Sequence, residues 1–246
     1  MTKNLNNFTV IESVYGKFVV NRHSVGHAES LIKTGRSHMQ DELDNILAIV
    51  NILPAHCTVV DAGANIGLVS IPIAHAISDR GGVVHAFEVQ RMLYYTLCGS
   101  VALNDLENLF VNNIALGSAV GTMNASKLDY GTPQDFGMFS LIDQDSTRPY
   151  EKVAVTTIDH LALSGLDFFK IDVEGMEIEV LGGALNSIRK YTPWCWVEYW
   201  KVDIAAIKQK FDGLDYKFFI MDPLNMLCAP QKRLAASALT VNAQEA

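Results

Sequence analysis

Four carboxylates stand at the ends of successive apolar runs: Asp61 after Thr58 to Val60, Glu88 after Val83 to Phe87, Asp172 after Asp167 to Ile171, and Glu198 after Trp194 to Val197. In an open parallel sheet, ligands bind in the crevice beyond the carboxyl ends of the strands, so four acids at four such ends describe one pocket mouth. Carboxylates in that place accept hydrogen bonds from a ribose diol, take a proton from an attacking hydroxyl, or hold a divalent cation. Between the first two acids the chain reads Val-Val-Asp-Ala-Gly-Ala-Asn-Ile-Gly-Leu-Val-Ser over Val59 to Ser70. A buried strand there runs into a small-residue turn and then a helix, and Gly63, Ala64, Asn65 and Gly67 leave the backbone open to a ligand at the helix N-terminus. Glu88 suits the two hydroxyls of a ribose, which favours an adenosine-containing ligand over a bare phosphate.

Other nucleotide chemistries fit less well. No Gly-Lys-Ser or Gly-Lys-Thr follows the turn, so a triphosphatase is excluded. Asp61-x-Gly63-x-Asn65-x-Gly67 also departs from the G-x-G-x-x-G spacing of dinucleotide sites, which disfavours an NAD-dependent oxidoreductase. That oxidoreductase and a non-catalytic nucleotide-binding module remain the alternatives to an enzyme acting on an adenosine-type cofactor.

Lys170 and Asp172 lie two apart on one strand and project to the same side. A lysine in an otherwise apolar strand is paired, with Asp172 or Glu198, or takes part in catalysis. Glu174 and Glu177 fall in what reads as the first turn of the next helix, where negative charge suits the macrodipole. For an acceptor that must lose a proton, Asp172 is the expected base and Glu198 its partner or substitute. Alternatively Asp172 and Glu198 hold a divalent cation, assisted by Glu174 or Asp159, though nothing in the sequence requires a metal. His23 and His27 have helical metal-pair spacing, but Gly26 and extended neighbours argue against a site. His160, beside Asp159, is a weaker candidate near the acceptor, and Trp194, Trp196 and Trp200 read as packing around a strand before they read as a sugar platform.

The elements that must place these residues follow from periodicity. Residues 8 to 35 alternate around Tyr15-Gly16-Lys17-Phe18-Val19-Val20, which predicts a small hairpin or an extended edge in an N-terminal extension. Leu43, Ile46, Leu47 and Val50 predict a helix over Gln40 to Ile52, closed by Pro54. From Thr58 the order is strand, helix, strand, with Pro72 a misfit unless that helix starts late or bends. A helix over Arg91 to Asn104 and a strand over Phe110 to Leu116 continue the alternation. Between Gly117 and Leu166 the rhythm stops, with only Val153 to Ile158 reading as strand, and the segment is expected on the acceptor side. Alternation resumes with a strand to Asp172, one helix over Glu174 to Lys190, a strand over Trp194 to Tyr199, a helix over Asp203 to Phe211 and two hairpin strands, Tyr216 to Met221 and Met226 to Ala229. The Ala-rich end after Lys232 reads as a loose tail.

Composition bounds the class. With 246 residues, 49% of them hydrophobic and 19% charged, the chain can bury a large core. Its net charge of −8 speaks against gripping nucleic-acid phosphates and for small substrates. Four scattered cysteines suggest neither a zinc knuckle nor a disulfide framework. Met1 to Val10 carries no leader pattern and no apolar run reaches about 20 residues, so a cytoplasmic protein without membrane association is expected.

The turn at Asp61 to Gly67 resembles motif I of S-adenosylmethionine (SAM) methyltransferases. The likeness becomes specific at Phe169-Lys170-Ile171-Asp172-Val173-Glu174-Gly175-Met176-Glu177, continuing to Gly182-Gly183-Ala184, Pro193 and Glu198. Together with Asn113-x-Ala115-Leu116-Gly117 and Val155-Thr156-Thr157-Ile158-Asp159, these blocks resemble the FkbM family of SAM-dependent methyltransferases from about Val59 to Tyr199. Glu88-Val89-Gln90 departs from the Glu-Pro the family often shows. The resemblance implies an α/β class I methyltransferase fold, Rossmann-like, with a seven-stranded mostly parallel sheet and a C-terminal antiparallel hairpin. The reading of the elements gives a domain over 40–230 holding the 117–166 insertion, preceded by an accessory extension, 1–39, and followed by a tail, 231–246. The resemblance further implies SAM as cofactor and O-methylation of a small hydroxylated acceptor, a saccharide or glycosylated metabolite. Cofactor binding then falls to Asp61, Gly63, Ala64, Asn65, Gly67 and Glu88, with Asn113 and Ala115 on the adenine side, and catalysis to Asp172, Glu198 and Lys170.

Overall fold

The computed structural model describes residues 6–143, 145–237, 239–241 and 243–246, with the His27 side chain outside the described set. The chain opens with β1 (Phe8–Ser13) and β2 (Gly16–Asn21), an antiparallel hairpin in which Ser13 faces Gly16 across the turn. Gly16 takes φ +121° there, which a side chain would resist. The hairpin is clamped to the body: the Val19 amide donates to Ser100 Oγ at 2.9 Å, and Phe18 and Val20 are fully buried. Two helices follow, α1 (His27–Thr34) and α2 (Gln40–Asn51).

The alternating region comprises β3 (Thr58–Ala62), α3 (Ser70–Ser78), β4 (Val83–Phe87), α4 (Arg91–Leu103) and β5 (Leu109–Asn112). Pro72 is the third residue of α3, in the first turn, where its missing N–H would have no intrahelical partner. The single strand expected over Phe110 to Leu116 is two: β5 stays in the main sheet, and β6 (Ala115–Leu116) joins a second one. Asn113 causes the turn-off, its amide donating to the carbonyls of Glu88 (2.8 Å) and Val89 (3.0 Å). The segment without rhythm holds β7 (Gly121–Ser126) and β8 (Tyr150–Thr156), which complete a three-stranded sheet in the order β6-β8-β7, followed by α5 (Ile158–Leu161).

Next come β9 (Phe168–Ile171), α6 (Glu177–Gly182) and α7 (Leu185–Tyr191). One helix from Glu174 was expected. Instead Glu174 and Gly175 have φ of +59° and +106°, so the helix starts later. It breaks again at Gly183, where an added Cβ would lie 2.0 Å from the Gly117 carbonyl oxygen and only a glycine lets the two segments meet. The chain ends through β10 (Trp194–Glu198), α8 (Ile204–Gln209), β11 (Tyr216–Ile220), β12 (Asn225–Pro230), α9 (Gln231–Ala236) and β13 (Gln244–Glu245). The last two replace the loose tail: Arg233 pairs with Asp167 at 3.0 Å, and β13 adds to β11.

The main sheet has eight strands in the order β13-β11-β12-β10-β9-β3-β4-β5, one more than expected. The five from β10 to β5 are parallel, while β12 pairs antiparallel with β10, β11 with β12, and β13 with β11. Successive residues of β3 and β9 face opposite sides, so Val59 and Phe168 enter one core and Val60, Phe169 and Ile171 the other. Cys57, Cys195 and Cys228 are buried free thiols. Among the described residues no helix is long and apolar enough to cross a membrane.

Candidate functional site at the carboxyl ends of the parallel strands

Strand pairing places the first acid beside the lysine. Asp61 and Lys170 are register partners across β3 and β9, and their side chains share the face of Val59 and Phe168. Lys170, 3% exposed, reaches Asp61 Oδ1 at 3.3 Å and Asp172 Oδ2 at 3.0 Å. Its second partner is therefore Asp61 and not Glu198. The other Asp61 oxygen accepts the Ser70 hydroxyl, tying the end of β3 to the start of α3. Burial alone would lower the Lys170 pKa, but Asp172 and then Asp61 raise it above the usual lysine range.

The turn after β3 is built on backbone contacts. The Gly63 and Ala64 amides both donate to the Phe87 carbonyl, at 3.0 and 2.9 Å. A Cβ on Gly63, at φ +81°, would lie 1.7 Å from the Asp172 carbonyl oxygen, so this glycine exists to let β3 and β9 converge. Asn65 takes φ +51°, which aims its amide at Glu88 Oε2 (2.8 Å), while Glu88 Oε1 accepts the Gln90 amide (2.7 Å). Burial pushes the Glu88 carboxyl up to about 7, against the lowering effect of those two amides.

A cleft of about 850 Å³ opens over these ends. Asp61, Gly63, Ala64, Asn65, Glu88, Ala115, Lys170, Asp172, Glu174 and Glu198 all border it. Gly67 and Asn113 do not border it among the described residues. A Cβ on Gly67 would meet Leu97 at 2.4 Å, so Gly67 serves helix packing, and Asn113 braces the loop that carries Glu88. Gly137, Met138, Phe139 and Leu141 of the segment between β7 and β8 supply a wall.

The acidic part has an unusual electrostatic state. Glu198 Oε2 is buried with no hydrogen-bond partner among the described residues, and burial, then Asp172 and Glu174, push its carboxyl up to about 9. Glu174 is ion-paired with Lys201, yet burial raises its pKa as well. Glu177 does not border the cleft and accepts the Val173 and Gly175 amides at 3.0 and 3.1 Å, which ties the loop after β9 to the first residue of α6. Asp172, Glu174 and Glu198 each bring a carboxylate oxygen within 4.8 Å of the others, a donor set suited to a hard divalent cation. Asp159 is not part of that set: it accepts the Asn186 and Ser187 amides at 3.0 and 2.7 Å, capping α7. His23 and His160 do not border the cleft among the described residues. Trp194 and Trp196 are buried, whereas Trp200 is 44% exposed on the rim under Lys201.

Sequence reasoning missed Glu42. It lies in the first turn of α2, is 8% exposed, accepts the Trp196 indole N–H at 3.1 Å and borders the cleft. Burial pushes its carboxyl up to about 7. An acid at the start of a helix reads as a macrodipole residue, and nothing local announces a partner 154 positions away.

A profile of the methyltransferase FkbM domain matches residues 61–218, from the acid of β3 into β11. The chain belongs to the FkbM methyltransferase family. The matched region is a SAM-dependent methyltransferase domain. Methyltransferase sdnD of Sordaria araneosa is 28% identical over 174 residues, 57% of this chain and 64% of that protein. The chain thus spans less than two thirds of the length of that curated relative. A crystal structure of methyltransferase FkbM from Methylobacillus flagellatus KT shares the fold at TM-score 0.52 and 17% identity, over 72% of this chain and 44% of that one. An rRNA methylase from Streptococcus thermophilus superposes at TM-score 0.45 and 12% identity, over 78% of this chain and 92% of that one.

Proposed function

We propose that the protein transfers the methyl group of SAM to a hydroxyl oxygen of a small acceptor, a saccharide or glycosylated metabolite. The observation that carries this reading is a single cleft bordered together by the Gly63 to Asn65 turn, Glu88 and the Asp172 and Glu198 carboxyls.

The residues present fit SAM. A turn with no Cβ at Gly63, a buried carboxylate on Glu88 with lone pairs beyond its two amide bonds, and an acidic lining suit an adenosine that carries a sulfonium. When bound, SAM supplies a methyl group already activated on sulfur and departs as S-adenosylhomocysteine. What remains for the protein is alignment and the acceptor proton. Asp172, the more exposed partner of Lys170, faces the cleft and takes that proton, while Lys170 holds its carboxylate in place. Glu198, its carboxyl pushed up to about 9 by burial and its acidic neighbours, holds a proton at neutral pH and so both donates and accepts a hydrogen bond to orient the acceptor. In this reading residues 40–230 are the working domain, the segment 117–166 walls the acceptor side, and residues 1–39 brace the frame.

A second reading rests on the 4.8 Å grouping of Asp172, Glu174 and Glu198, which would hold a divalent cation against the acceptor oxygen. Chelator dialysis before the assay separates the two. Calorimetric titration with SAM, S-adenosylhomocysteine and NAD distinguishes an enzyme of this class from an oxidoreductase, and labelled SAM with a carbohydrate and metabolite extract tests transfer. Tight SAM binding with no labelled product would make this a silent binding module.

A further inference from the structure

The charge lining the cleft says what it admits. Among the described residues, nine carboxylate side chains border it against one lysine and one histidine. The lysine, Lys170, is already shared by Asp61 and Asp172. Glu174 is answered from outside the lining by Lys201. Glu42 and Asp222 have no ion-pair partner among the described residues. The one positive charge of a sulfonium still leaves acids of this lining unmatched, and a phosphorylated or carboxylated acceptor would add negative charge beside them.

Glu42 is the informative member. More than nine tenths of it is buried, and among the described residues its one side-chain hydrogen bond is from the neutral Trp196 indole. A carboxylate so placed is costly unless a cation arrives to meet it. The charged groups facing it are Lys170 of β9, Asp172 just beyond that strand, and Asp222 in the turn between β11 and β12. Both Glu42 and Asp222 lie outside residues 61–218, the span that matches the family domain. The shared part of the fold carries the donor cradle, and the flanking elements carry acids that the donor does not need.

Resting on the methyl-transfer reading, we propose that the acceptor is a hydroxylated compound bearing a protonated amine, an amino sugar or amino alcohol in chemical class, and that Glu42 is the carboxylate that binds the amine. A charge-assisted hydrogen bond to a desolvated carboxylate sets the amine in place and orients the neighbouring hydroxyl toward Asp172.

The test uses labelled SAM, the full-length chain and a metabolite extract divided in two, one portion N-acetylated in aqueous bicarbonate beforehand. A labelled product that binds a cation exchanger and is absent from the acetylated portion is expected. A labelled product that passes the exchanger, or persists after acetylation, overturns the amine proposal and leaves methyl transfer standing. No labelled product from either portion overturns methyl transfer itself, and the proposal with it. Glucosamine and N-acetylglucosamine serve as binding probes in the presence of S-adenosylhomocysteine. Wild-type protein is expected to prefer glucosamine by about tenfold or more, the worth of one charge-assisted bond. Glu42→Gln keeps an oxygen for the Trp196 indole, so it should lose that preference while SAM affinity and melting temperature hold. Equal binding of both probes by the wild type, or an undiminished preference in Glu42→Gln, would overturn the assignment.

Discussion

Replacing Lys170 by Met keeps the length of the side chain and removes its charge at the centre of the site. The consequence falls mainly on Asp61, which is fully buried and would be left with the Ser70 hydroxyl alone. Asp172, with its side chain 26% exposed, can be rehydrated. Removing one partner of a buried ion pair costs about 3–5 kcal/mol, because the other charge remains desolvated. At ~2–4 °C per kcal/mol for a chain of this size, Lys170→Met should melt roughly 6–20 °C below wild type at neutral pH. The sign with pH also follows. Lys170 has a raised pKa, so its stabilising ion pairs are fully present below the ordinary lysine value and are lost only as pH climbs through the higher folded value. The deficit should therefore persist across the neutral range. Thermal melting and urea unfolding of wild type, Lys170→Met, and Lys170→Met with Asp61→Asn provide the measurement. The double variant should recover much of the loss, since neutralising Asp61 removes the stranded charge. A single variant within about 2 °C of wild type, or a double variant no better than the single, would refute the claim that this triad is held by charge compensation.

Asp172→Asn should lower turnover by about 10²–10⁴-fold, the usual worth of a positioned general base, with SAM affinity unchanged by calorimetry; full turnover would remove Asp172 from that role. Gly63→Ala should give protein that misfolds or does not bind SAM, because the new Cβ would overlap the Asp172 carbonyl; soluble, SAM-binding protein would show that the turn can shift. Glu198 has a folded pKa raised to about 9, so the stability tied to its protonated form is complete below the ordinary carboxylate value and fades as pH rises toward 9. Its share of that fall is about 1.4 kcal/mol per pH unit at most, so Glu198→Gln should flatten the urea-unfolding profile above neutrality, and an unaltered slope would place the titration elsewhere. Dialysis against EDTA should leave turnover intact if proton transfer to Asp172 suffices; loss that magnesium restores would move Asp172, Glu174 and Glu198 to cation holding.

The parts of this molecule that were legible in advance share one property: the information is local. The continuous apolar runs of β3 and β9 mark strands buried on both faces, and the acids that end them mark a crevice before any coordinate is known. The same locality explains the errors. Asn113 reads as one more polar residue at a strand's end, yet its bonds to the Glu88 loop divert the chain into a second sheet. Gly183 reads as a tolerable helix glycine until the Gly117 carbonyl is seen against it. Arg233 lies in an Ala-rich stretch with no periodicity, and Asp167, 66 positions earlier, and the Tyr191 carbonyl give it a place.

From its own residue pattern the chain determines an alternating α/β domain, the strand ends where its acids gather, and the small-residue turn after β3. Tertiary structure alone decides the charge state of that chemistry. Whether Lys170 answers Asp61 or Glu198, whether Glu198 holds a proton at neutral pH, and whether a helix acid such as Glu42 becomes part of a cleft floor all depend on which groups share a desolvated volume. Coulomb energy and burial act through space, across separations along the chain that no local pattern encodes.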